Sequence, residues 1–184
     1  MKAILMSIKP KWCEKIFSGE KTVEVRKSAP KLEPPFKVYV YETKTGFIEA
    51  VRGTCPICAF SRGKVIGSFV CDKVIEYGYD VIACAKFEVN GAYVEEAKRY
   101  NAGGCLSEEE MYEYSNGKPL YGWHITKVKL YDTPRELGEF KTPDKPYHKI
   151  IERKGSLMFI DGYESGKPLK RAPQSWQFVE EVEE

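Results

Sequence analysis

The sequence predicts an α+β protein: a small mixed β-barrel with one helix between its first two strands and short helices at its periphery. Three observations carry this. Runs of β-branched and aromatic residues recur along the chain. Helical periodicity is confined to a few short windows. The first of those windows falls between the first two strand-like runs. A doubly wound dinucleotide-binding sheet is excluded, because no Gly-rich turn follows the first strand and strands do not alternate regularly with helices.

Lys2 to Ile8 is rich in Ile, Leu and Met and predicts a buried first strand. Pro10 suits the first turn of a helix, where its missing N–H costs nothing. Trp12 with Ile16, and Cys13 with Phe17, are i,i+4 pairs on one face of that helix. Gly19 is its left-handed cap. From Lys21 a strand begins that alternates strictly: Val23 and Val25 point one way, Thr22, Glu24 and Arg26 the other. Pro30, Pro34 and Pro35 stiffen the connection to a third strand, Lys37 to Glu42. Thr43 to Gly63 reads as an inserted hairpin or loop. Lys64 to Tyr77 is a long strand whose alternation shifts near Asp72 and Lys73, which predicts a bulge.

Phe87 to Asn101 has a helical pattern, and Gly103-Gly104 stop it. Ser107 opens another short helix, with Glu110 at the capping-box spacing, and Asn116-Gly117 break it. Leu120 to Tyr131 is a strong strand. Thr133 to Phe140 predicts one helical turn, Lys141 to Tyr147 a Pro-rich loop, Ser156 to Ile160 a strand, and Glu164 to Pro173 a polar loop. Gln174 to Val179 closes the fold. No repeat or low-complexity tract interrupts the chain, so residues 1–184 read as one domain.

The formal net charge is +2, which excludes a globally basic nucleic-acid binder. The charge is nevertheless uneven: Met1 to Lys31 holds eight Lys/Arg against three Glu. Neither a signal peptide nor a membrane span is legible, which predicts a cytoplasmic protein. Six cysteines then read as thiols or metal ligands rather than disulfides. Cys55-Pro-Ile-Cys58 has zinc-knuckle spacing but is half a motif. Cys71 and Cys84 are available to complete it, with His124 as a further donor.

The segments SIKPKWCEKIFSGEKTVEVRK, GKVIGSFVCDKVIEY, LYGWHITKVKLYDTPRELGEF and RAPQSWQFVEE resemble the ASCH domain, a branch of the PUA-like β-barrels. The most specific part is the Gly-x-Lys-Thr-x-Glu-x-Arg run from Gly19 to Arg26. The C-terminal Pro-Gln-Ser-Trp resembles a small bacterial and prophage-type subgroup. The resemblance implies a PUA-like barrel with a cleft beside the first helix that binds RNA or a modified nucleotide. The chemistry of the residues agrees with such a ligand. Arg26 offers a planar fork for a phosphate or a base edge. Lys9 and Lys21 can neutralise phosphates. Trp12, Trp123 or Trp176 can stack on a base. Thr22, Glu24 and Ser175 supply polar groups at the cleft.

The resemblance also implies an alternative, hydrolysis. Some small ASCH proteins are N4-acetylcytidine amidohydrolases and others are ribonucleases. In the amidohydrolases this motif supplies a Lys and a nucleophilic Thr, with a Glu from a later strand. Here Lys21 matches the Lys, but Glu24 stands at the Thr position. Glu24 would then act as general base on a water, with Lys21 polarising the carbonyl or phosphoryl oxygen. Glu76 is the candidate for the later Glu. A third reading is a protein-interaction adaptor working through the acidic C-terminal tail and the Cys-containing hairpin.

Overall fold

The computed structural model describes residues 1–44, 63–86, 98, 103–153 and 156–183. Strand β1 spans Lys2–Ile8, and every residue after Lys2 is buried. Ile4, Met6 and Ile8 enter one core cluster and Ala3 and Leu5 another, so both faces of the strand are covered. Helix α1 follows over Pro10–Phe17. The residue before a proline favours extended backbone, and Lys9 (φ −70°, ψ 146°) takes that conformation as the N-cap. Cys13 and Ile16 pack into a core cluster with Ile4, Met6, Ile8, Val38 and Val40. Full burial of one such aliphatic side chain is worth about 1.5–3 kcal/mol, so this eight-residue helix is held firmly on the sheet.

Strand β2 is Val23–Arg26 and β3 is Phe36–Glu42. Strand β4, Val65–Tyr77, pairs with β3 and with β5, Leu120–Arg135. The β4–β5 register shifts between Cys71 and Val74, at the bulge predicted for Asp72 and Lys73. Strands β6, Lys145–Arg153, and β7, Ser156–Glu164, follow, and the last strand is β8, Trp176–Glu180. Six strands form one sheet in the order β2-β5-β4-β3-β1-β8, and β6 and β7 form a separate ribbon. The β1–β3 pair is parallel; the other pairs are antiparallel. The architecture is therefore mixed α+β and mostly strand, with β2 and β8 as the edges of the sheet.

Helices α2, Tyr79–Lys86, and α3, Glu108–Ser115, lie outside the sheet core and contact each other. The Ser107–Glu110 capping box predicted for α3 is present in both directions.

Three expectations change here. The strand from Leu120 runs on to Arg135, and the helical turn shrinks to a 3-10 turn at Leu137–Glu139. The last three residues of the Pro-rich loop expected at Lys141 to Tyr147 are instead the start of β6. Pro146 is tolerated because both strands of a two-stranded ribbon are edges, where a missing N–H breaks no central ladder. Helix α2 was not signalled by any cap or strong periodicity. The expected helix over Phe87 to Asn101, apart from Lys98, and most of the Thr43 to Gly63 insert lie outside the described residues.

Candidate functional site

The site is assembled where α1 hands over to β2. Gly19 (φ +80°) ends α1 in the left-handed region that favours glycine. The chain then doubles back, and Lys21 N–H donates to Lys15 O at 2.8 Å. The N–H groups of Thr22 and Val23 both donate to Gly103 O, at 2.9 and 3.1 Å. Gly103 has φ +89°, and a Cβ there would lie 2.0 Å from Thr22 Oγ1. Only glycine lets this distant segment lie against the start of β2. That contact brings Gly104 O to Lys21 Nζ, which donates to it.

Alternation along β2 then divides the side chains. Val23 and Val25 enter an apolar cluster with Tyr77, Ile82, Met111 and Leu120. Glu24 and Arg26 turn to the other face and meet Lys21. Arg26 Nη2 lies 3.0 Å from Glu24 Oε1, and Lys21 Nζ lies 3.6 Å from Glu24 Oε2. Exposures of 2% for Lys21, 5% for Glu24 and 8% for Arg26 make this a buried charged triad. Arg26 also reaches the far side of the sheet. Its Nη2 donates to Ser7 O at 2.8 Å, and its Nη1 to Ser175 Oγ at 3.5 Å. Trp176 Nε1 donates to Ser28 Oγ at 3.1 Å. The two edges of the sheet are thus tied by side chains.

Burial is the largest influence on Lys21 and pushes its ammonium below the ordinary lysine value; Glu24 acts in the opposite direction. Tyr114, a neighbour of Glu24 and Arg26, is raised, chiefly by burial. The triad floors a cavity of about 420 Å³. Trp12 forms part of its wall, with Lys11 Nζ 4.3 Å and Lys21 Nζ 4.9 Å from the ring centroid. Leu106, Glu110 and Tyr114 line the side nearest α3. Lys9 and Lys11 line it as exposed residues. Four cationic side chains therefore face the cavity against two carboxylates. The lining thus carries an excess of positive charge.

The structure brings Lys9, Trp12, Lys21, Glu24 and Arg26 to one cavity. Thr22 is exposed and is not among the lining residues. Ser175 stands behind Arg26, while its neighbour Gln174 lines the cavity. Trp123 is fully buried, edge-on to Phe36 with centroids 5.6 Å apart, and is a core side chain. Glu76 is exposed and not in the lining. His124 faces Asp72 instead, with Nδ1–Oδ1 at 2.6 Å, and His148 lies on β6 against Asp161.

Of the proposed metal ligands, Cys55 and Cys58 lie outside the described residues, and Cys84 falls in α2. Cys71 is buried on β4, its thiol pushed up to about 12 mainly by burial, and its Sγ donates to Lys73 O at 3.3 Å. Among the described residues, no three His, Cys, Asp or Glu side chains are grouped to hold a metal ion.

Sequence reasoning missed Ser7, Lys11, Thr43, Leu106, Glu110, Tyr114 and Gln174 as lining residues. Glu110 and Tyr114, four residues apart, lie on one side of α3, and Leu106 directly precedes its N-cap. Nothing local in the sequence says that this side lines a cavity with α1.

The family model described as ASCH domain matches residues 6–153. The chain belongs to the ASCH domain family. This ASCH domain is similar in fold to the crystal structure of ASCH from Zymomonas mobilis, with a TM-score of 0.51 and 19% identity over 73% of each chain. Two single-residue mutants of that protein give the same picture, each at TM-score 0.51 and 19% identity. One covers 74% of this chain and 77% of its own, the other 73% and 74%. No curated protein matches the sequence. Among the described residues, no helix is long and apolar enough to cross a membrane.

Proposed function

We propose that this ASCH domain binds RNA, taking one nucleotide into the cavity beside α1 of a PUA-like barrel. The supporting observation is the cavity itself. About 420 Å³ of space opens over a buried Lys21–Glu24–Arg26 triad, beside an indole wall and two exposed lysines. That volume lies within the roughly 300–1,000 Å³ range of small-ligand pockets. Trp12 offers a face for a base once Lys11 swings aside, and Lys9 and Lys11 offer neutralising charge for the phosphate.

The test is a titration of labelled single-stranded RNA against wild type and a Lys9→Ala/Lys11→Ala variant at several salt concentrations. Wild-type affinity should fall with salt. The variant should bind more weakly, with its salt slope reduced by about 0.7 for each lost phosphate contact. No binding, or identical curves for the two proteins, overturns the reading.

One observation favours a second reading, a hydrolase of modified pyrimidine nucleosides or of RNA. Lys21 has its ammonium destabilised by burial and stands beside Glu24, a pairing suited to proton transfer. Incubation with N4-acetylcytidine and with single-stranded RNA tests it. Turnover that disappears in Lys21→Ala supports catalysis here. Absence of product, or product unaffected by that substitution, removes it.

A further inference from the structure

The β6–β7 ribbon turns its apolar residues outward. Register sets Pro146 opposite Tyr163, His148 opposite Asp161, Ile150 opposite Phe159 and Glu152 opposite Leu157. Cross-strand partners share a face, so these eight residues lie on one side of the ribbon. On that side Ile150 is 62%, Leu157 67%, Tyr163 75% and Phe159 77% exposed. The opposite side is better covered. Tyr147 and Ile160 are half-buried there, and Tyr147 lies over Gly162, where a Cβ would come within 2.7 Å of its hydroxyl oxygen. Among the described elements, β6 and β7 pack chiefly on each other. A two-stranded ribbon is marginal in water unless its apolar side is covered. Contiguous exposed apolar surface of this kind marks an interaction site.

Charge and area select the occupant. Residues 145–164 hold Lys145, Lys149, Arg153 and Lys154 against Glu152, Asp161 and Glu164, a net charge of +1 with His148 neutral. That is too little to draw RNA or anionic lipid to this face, and too little to keep a like copy away. The charge is also divided between the strands. Lys145, Lys149 and Arg153 accompany Glu152 on β6, whereas the charged residues of β7 are the acids Asp161 and Glu164. A two-fold axis running along the ribbon lays β6 of one copy over β7 of the other. Near that axis Ile150 meets the partner's Phe159, Pro146 meets the partner's Tyr163, and His148 meets the partner's Asp161. An axis across the strands would lay the cationic strand on itself. Phe and Tyr each carry about 150–250 Å² of surface, so at these exposures the two contribute about 300 Å². With Ile150, Leu157 and Pro146 the face offers roughly 1,000 Å² over two copies, the lower bound of a specific interface and the range of weak, reversible ones.

We infer that a second copy of this chain docks on the open face of the β6–β7 ribbon, with β6 of each copy over β7 of the other. The inference is independent of the nucleotide reading, because none of these residues lines the cavity.

Sedimentation velocity of the full chain over a range of concentrations tests it. The mass should rise from one chain toward two, with a micromolar dissociation constant. A Leu157→Thr/Phe159→Thr variant keeps strand propensity on the open face and should weaken association at least about tenfold. Met158→Thr, on the opposite side, should stay within about twofold of wild type. With p-benzoylphenylalanine in place of Phe159, the photo-crosslinked species of double mass should be joined to the partner's β6. A chain that stays monomeric overturns the inference, and so does a double variant that associates like wild type. Crosslinks to the partner's β7 overturn the arrangement of the strands. A monomeric chain whose double variant loses RNA affinity would assign the face to RNA instead.

Discussion

Glu24→Ala is the substitution whose consequence follows most directly from the geometry. The carboxylate is 5% exposed and lies 3.0 Å from Arg26 Nη2 and 3.6 Å from Lys21 Nζ. Its removal leaves two buried cations facing each other with no counter-charge. Breaking a buried ion pair from one side costs about 3–5 kcal/mol. The lower end applies here. Arg26 keeps Ser7 O and Lys21 keeps Gly104 O, and water can enter the adjoining cavity. With a urea m-value of about 2 kcal/mol/M, a loss of about 3 kcal/mol moves the unfolding midpoint down by about 1.5 M. Arg135→Ala is the control. It breaks a pair at 2.9 Å with Glu139 on the exposed surface, where such pairs contribute about 0–1 kcal/mol. Urea unfolding of wild type and both variants, followed by circular dichroism, gives the comparison. A Glu24→Ala midpoint within about 0.5 M of wild type, or equal to the control, refutes the view that the triad is held together by Glu24.

Three further outcomes are expected. Burial holds the Lys21 ammonium below its ordinary value, so between that lowered value and 10.5 the unfolded chain binds more protons than the folded one; stability at this site therefore rises with pH and is lost as pH falls through the folded value. Wild type should accordingly gain stability relative to Lys21→Met as the pH climbs toward 10.5, and a difference that stays flat or shrinks contradicts this. Cys71, with its thiol near 12, should resist iodoacetamide at pH 8 in the native chain, while half-exposed Cys105 reacts. Peptide mapping reads both, and Cys71→Ser should leave any bound zinc unchanged; zinc released by that variant would make Cys71 a ligand. Trp12→Ala should weaken RNA binding by about 1–3 kcal/mol with little change in salt slope, measured by titration, because stacking carries no counterion release.

Most of the sheet was legible because its strands carry local signals. Lys2 to Ile8 is rich in Ile, Leu and Met, Val65 to Tyr77 and Leu120 onward keep strand composition, and the bulge at Asp72 announces itself as a break in alternation. The β6–β7 ribbon was not legible in the same way. Pro143 and Pro146 mimic loop chemistry, and Ile150, Leu157, Phe159 and Tyr163 are exposed, so no buried face imposes a clean period. At the site, the alternation of Thr22, Glu24 and Arg26 identified the shared face from local sequence alone. What it could not supply were long-range partners. Ser7 and Ser175 meet Arg26 across 19 and 149 residues, and Gly104 meets Lys21 across 83. Thr22 has the spacing of a site residue, yet Gly103 lies against it and the structure leaves it outside the lining. Tryptophan identity was equally uninformative. Trp12 lines the cavity and Trp123 fills the core, a difference set by packing partners far along the chain.

A crystal structure of the chain soaked with uridine 5′-monophosphate bears most directly on ligand binding beside α1. The base should lie in the cavity against the Trp12 ring, with the phosphate at Lys9 and Lys11. A nucleotide bound elsewhere on the molecule, or a cavity still empty at saturating nucleotide, would contradict it.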